Sequence, residues 1–164
     1  MVELLVLRHA KTERGGRERA DVERRLLPVG RADAEEIGLL LVSRDLVPQI
    51  VLSSAAVRAR ETADFASVSF RPPPIRFDLP ELYNGDASGY LDTVSVYGGD
   101  ASRVLLVGHN PDIASFVSSV AERDVEMKPG ALAVIEADAT RAGEVRRGTS
   151  LRFRMVILPS GRGV

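Results

Sequence analysis

The only two histidines of this 164-residue chain, His9 and His109, each stand one residue past a short apolar run. Leu4-Leu5-Val6-Leu7 leads through Arg8 to His9, and Val104-Leu105-Leu106-Val107 leads through Gly108 to His109. Such runs make strands buried on both faces of a sheet, so both imidazoles are expected just beyond strand carboxyl ends, where open α/β sheets bind ligands. Arg8 adjoins the first histidine. Arg58 lies shortly after a second buried strand, and Glu81 follows a brief strand around Phe77. Taken singly, either histidine reads as a polar cap on a strand end. Taken with the two arginines at the same rim, they make a donor set suited to phosphate oxygens, whose charge spreads over three equatorial positions during transfer. A neutral imidazole is also a competent nucleophile toward phosphorus. His9 is the preferred nucleophile because Arg8 beside it can help place the substrate.

A metal ion is the main chemical rival, since imidazoles bind zinc and iron. The neighbouring guanidinium groups repel a cation and no carboxylate cluster accompanies them, so no metal is expected. The chain has no cysteine, which removes disulfides, thiolate nucleophiles and iron–sulfur clusters. A formal net charge of −1 gives no reason to expect nucleic acid as a partner. Nearly all basic residues are arginine, only Lys11 and Lys128 being lysine. Codon bias explains that as well as a need for planar phosphate forks does. The apolar start Met1-Val2-Glu3-Leu4 carries an acid and lacks a basic lead, unlike a signal peptide, and no run approaches the ~20 apolar residues of a membrane span. A cytoplasmic protein without a membrane partner is the expectation.

The elements that must position these residues follow from periodicity. Helices are predicted over 31–44, 56–66 and 112–121 and, against its β-branched residues, over 90–97; strands are predicted over 4–7, 48–52, 75–77, 104–107, 131–137 and 151–158. The last strand alternates Leu151, Phe153, Met155 and Ile157 against Arg152, Arg154 and Val156, as a half-exposed edge would. Residues 13–25 read as an exposed loop whose arginines, Arg14, Arg17, Arg19, Arg24 and Arg25, form a solvated face. Arg60 is assigned to the surface, and Asn110 either holds His109's loop or, the preferred reading, caps the following helix. Alternating strands and helices predict an α/β fold, a three-layer α/β/α sandwich around a mostly parallel central sheet, with residues 1–164 forming one domain.

Leu7-Arg8-His9-Ala10-Lys11 resembles the signature of the histidine phosphatase superfamily, the phosphoglycerate mutase-like fold. The short chain resembles its SixA-like phosphohistidine phosphatase branch. Asp21 to Leu26 with Gly30, the run Ser53-Ser54-Ala55-Ala56-Val57-Arg58-Ala59-Arg60-Glu61-Thr62-Ala63, Glu81-Leu82-Tyr83 and Val107-Gly108-His109-Asn110-Pro111 continue the resemblance in order over about residues 4–120. Arg25, Leu27 and Ser54 depart from the residues usual at those places. The resemblance implies His9 as the phosphorylated nucleophile, with Arg8, Arg58 and a protonated His109 as the phosphate pocket and neither metal nor organic cofactor. Glu81 stands as the general acid or as a structural loop residue, and Lys11 as a phosphate contact or a solvated loop residue. The implied substrate is a phosphorylated molecule, first a phosphohistidine-containing protein. A phosphatase of small phosphoesters or nucleotides, a mutase and a non-catalytic phosphate-binding module remain as alternatives.

Overall fold

A computed structural model describes residues 1–16 and 20–160. Arg17 and Arg19 of the predicted solvated face lie outside them. The strands are β1 (Val2–Arg8), β2 (Ile50–Ser54), β3 (Ile75–Leu79), β4 (Arg103–Gly108), β5 (Leu132–Ala137) and β6 (Leu151–Ile157). The helices are α1 (Pro28–Ser43), α2 (Val57–Ser67), α3 (Gly89–Tyr97) and α4 (Asp112–Ala121). All six strands form one sheet in the order β3-β2-β4-β1-β5-β6. β3, β2, β4 and β1 run parallel, and β5 and β6 are antiparallel additions at one side.

The two faces of the sheet make two cores, as the period of two along a strand requires. Leu5, Leu7, Val51, Leu105 and Val107 pack with Ile37 and Leu41 of α1 and Ala59, Ala63 and Ala66 of α2. Leu4, Val6, Leu52, Val104 and Leu106 pack on the other face with Tyr90 and Val94 of α3 and Ile113 and Phe116 of α4. α1 begins at Pro28, earlier than predicted, because proline's fixed φ and missing N–H suit the first helical position. Its buried residues are Gly30, Asp33, Ala34, Ile37, Gly38 and Leu41. At Gly38 a β-carbon would collide with the Ala66 backbone, which lets α1 and α2 pack closely.

The predicted alternation of β6 fails at its middle. Val134 pairs with Met155 but Ile135 pairs with Phe153, so a β-bulge skips Arg154 and turns Met155 out to 42% exposure. On the surface, arginine forks meet carboxylates: Arg76 with Asp64 and Asp78, Arg141 with Asp100 and Glu144, Arg147 with Asp92, and Arg152 with Glu136. No helix among the described residues is long and apolar enough to cross a membrane.

Candidate active site

β1 and β4 are neighbours with Arg8 opposite Gly108, and the His9 amide donates to the Gly108 carbonyl at 3.0 Å. The register therefore runs one residue past the strands and brings the imidazoles side by side, ring centroids 5.2 Å apart. Continuing the alternation from Leu7 and Val107 places both on the face covered by α1 and α2. Arg58 enters from the first turn of α2. Each of these three side chains is buried: His9 and His109 are 8% exposed and Arg58 5%.

The His9 Nδ1 lies 2.8 Å from the Ala10 carbonyl oxygen. A carbonyl only accepts, so Nδ1 carries the hydrogen and, in the neutral ring, Nε2 keeps its lone pair. Burial drives the His9 pKa down to about 3, the Ala10 bond pulls it back, and His109, Arg58 and Arg8 push it lower. At neutral pH the ring is uncharged. His109 is also lowered, to about 4, by burial first and then by Arg58, with Asp21 acting in the opposite sense. His109 is thus neutral at neutral pH, against the expectation of a protonated one, because a buried cation beside Arg58 is unfavourable. His109 Nε2 sits 2.7 Å from Ser54 Oγ, which also accepts from the Ala56 amide at 3.3 Å, while Nδ1 is buried without a partner.

Arg8 donates to the Met127 carbonyl at 2.9 Å and leaves its buried Nε unpaired. Asn110 donates to the same carbonyl at 3.0 Å, so it ties His109's loop to residue 127 and does not cap α4, whose N-cap is Pro111. Arg58 donates to the main-chain and carboxylate oxygens of Asp21 at 2.8 and 3.1 Å, and its Nε is also buried and unpaired. The same carboxylate receives the Tyr83 hydroxyl at 2.9 Å and faces Arg24 at 3.0 Å. Desolvation opposes its ionisation, but Tyr83, Arg58 and Arg24 prevail and hold the carboxyl below its usual range. Tyr83 closes the wall, edge-on to His109 with centroids 5.7 Å apart.

A second set of residues fixes these groups from behind. The Ala10 amide donates to Thr62 Oγ1 at 3.0 Å, and the Thr62 hydroxyl donates to the Arg58 carbonyl at 2.7 Å. Glu61 accepts the Leu26 amide at 2.8 Å, anchoring the loop that bears Asp21. Tyr90 receives the His109 amide at 3.3 Å, and its phenol fills the space where any side chain at position 108 would stand.

The structure thus gathers His9, His109, Arg8 and Arg58 and leaves two predicted residues at the margin. Lys11 is exposed, two residues after His9. Glu81 is exposed, receives the Tyr97 hydroxyl at 3.4 Å, and lines a cavity of about 490 Å³ with Asn84, Tyr97 and Arg147, bonding to none of the four. Asp21, Tyr83, Ser54, Thr62 and Tyr90 were not singled out as site residues by sequence reasoning. Asp21, Tyr83, Ser54 and Thr62 do lie inside the motif segments, which was the only signal for them. Among the described residues no group of three or more His, Asp or Glu is placed to hold a metal ion.

Residues 4–97 match the model of the histidine phosphatase superfamily, branch 1. A chloroplastic protein of Arabidopsis thaliana is 28% identical over 144 residues, covering 82% of this chain and 66% of its own. The chain thus spans just under two thirds of that relative. A solved structure from Agrobacterium tumefaciens, assigned as phosphohistidine phosphatase SixA, superposes with a TM-score of 0.79 at 26% identity over 96% of this chain and 99% of its own. The protein histidine phosphatase SixA complexed with tungstate gives 0.80 at 19% identity, over 96% and 97% of the two chains.

Proposed function

The chain belongs to the histidine phosphatase superfamily, branch 1, and is a phosphatase domain of that family; on that premise we propose that it dephosphorylates phosphohistidine in a protein through a phosphoenzyme on His9. The observation that carries the reading is the state of His9: held with hydrogen on Nδ1 and kept neutral by burial, it presents an unprotonated Nε2 near two arginines, Arg8 and Arg58, whose buried Nε donors are unpaired. Nε2 attacks phosphorus, the bond to the leaving nitrogen breaks with its electron pair, and water then displaces phosphate from His9. Arg8 Nε and Arg58 Nε receive the phosphoryl oxygens, joined by His109 Nδ1 in the tautomer in which the Ser54 hydroxyl donates to Nε2. Lys11 stands at the mouth as a substrate contact.

The leaving group decides between substrates. An alkoxide needs a proton from the enzyme, yet the carboxyl nearest the pocket, Asp21, is held ionised, and Glu81 is turned to Tyr97. A phosphorylated imidazole takes its proton from water at the free ring nitrogen before it departs and so asks less of the site. A tungstate-bound SixA of the same fold supports an oxyanion pocket here.

A panel of phosphohistidine peptides, p-nitrophenyl phosphate, nucleotides and sugar phosphates ranks substrates by kcat/KM, with the peptides expected first. H9A is expected to lose covalent phosphate labelling and all turnover. Normal turnover by H9A would sink the nucleophile, and preference for a phosphoester would sink the substrate while sparing it.

A further inference from the structure

We propose that Thr62 is a positioning residue that sets the tautomer of the nucleophile; this rests on His9 being that nucleophile. Three hydrogen bonds form one chain: His9 Nδ1 to the Ala10 carbonyl at 2.8 Å, the Ala10 amide to Thr62 Oγ1 at 3.0 Å, and the Thr62 hydroxyl to the Arg58 carbonyl at 2.7 Å. A helical threonine ordinarily returns its hydroxyl to the carbonyl three or four residues back and does nothing more. Thr93 of α3 is such a residue, buried and bonded to the Tyr90 carbonyl at 2.8 Å. Thr62 differs because its oxygen also takes an amide from 52 residues away. Its single hydrogen is spent on Arg58, so the oxygen can only accept from Ala10. That acceptor fixes the Ala10 backbone, whose carbonyl must face His9 if Nδ1, and not Nε2, is to carry the hydrogen. The chain also joins the nucleophile to the turn that carries Arg58, so the attacking nitrogen and one oxyanion donor share a frame.

Thr62 is fully buried, so replacing it acts through the two backbone groups it bonds, the Ala10 amide and the Arg58 carbonyl. T62V keeps the shape and removes the acceptor. Phosphoenzyme formation is expected to slow by about 10- to 100-fold, the scale of a misplaced reacting group. The inhibition constant of inorganic phosphate should stay within about twofold, since Arg8 and Arg58 remain. T62S, which restores the hydroxyl, should recover most of the rate. T93V removes a comparable buried hydroxyl and should cost stability without slowing phosphoenzyme formation. With ¹⁵N-labelled histidine, NMR should show His9 as the Nδ1–H tautomer in the native protein and as a mixture in T62V. If T62V does not fold, T62A carries the same test without crowding the loop. An unchanged tautomer and rate in T62V overturn the proposal, as does failure of T62S to recover. The NMR reading needs no turnover, so a chain that cleaves no phosphorylated substrate would fail the phosphatase assignment and still report on Thr62.

Discussion

At Arg58 the resting pocket already contains an anion. The Asp21 carboxylate, 56% exposed, holds one amino nitrogen of the Arg58 guanidinium, and Tyr83 steadies it there. Its negative charge opposes a phosphate bound at the free Nε of the same guanidinium, so D21N should tighten inorganic phosphate binding by about two- to five-fold, the range of an exposed ion pair. Weaker binding in D21N, read from competitive inhibition, would show that Asp21 supports the anion instead. The histidines make a second prediction. Burial lowers His9 to about 3 and His109 to about 4, against 6.5 for the unfolded chain. Between those values the unfolded state binds protons that the folded state refuses. Stability from these rings is therefore complete above about pH 6.5 and falls as the pH drops, by roughly 1.4 kcal/mol per pH unit for each histidine. Asp21, a carboxyl held low, titrates further down, so the interval from pH 6.5 to 5 belongs to the imidazoles. Denaturation midpoints at pH 7 and pH 5 should differ less in H9A than in the native protein; an equal difference would contradict the burial account.

Among the elements, α2 organises the site: Arg58 faces the pocket, Glu61 holds the Leu26 loop, and Thr62 holds Ala10. Its seat depends on the close passage of α1 at Gly38. G38A gains about 1 kcal/mol of helix propensity but drives a methyl into the Ala66 carbonyl, where overpacking costs about 1–3 kcal/mol. The backbone contact cannot rotate aside, so the clash should win, and G38A should lower Tm and reduce activity together; a raised Tm would show that the helices slide apart freely. β1, β4 and α2 were legible in the sequence because strands buried on both faces write unbroken apolar runs and the residue after each run inherits its position. Thus His9, His109 and Arg58 could be found. Met155 could not be placed, since a bulge shifts the phase without altering composition. Asn110 and Ser54 bond across loops, to Met127 and His109, and such pairings leave no periodic trace.

Taken whole, the chain joins its two cores through one six-stranded sheet, and we propose that residues 1–164 act as one domain. The resemblance made this architecture readable, while the arm around Asp21 was not, because its carboxylate is defined only by partners from α2 and from Tyr83. The surface arginines meet carboxylates at Asp64, Asp78, Asp92, Asp100, Glu136 and Glu144, and the formal net charge is −1. Such pairing cancels locally what it might have summed at a distance. Long-range attraction of an anionic partner is then expected to be weak, with encounter governed mainly by diffusion. Raising potassium chloride from 50 to 300 mM should change kcat/KM by less than about threefold, where a strongly guided association would fall far more steeply. Selection among phosphorylated partners would happen only on contact, in the last few ångströms, where Asp21 stands beside the free nitrogen of its arginine.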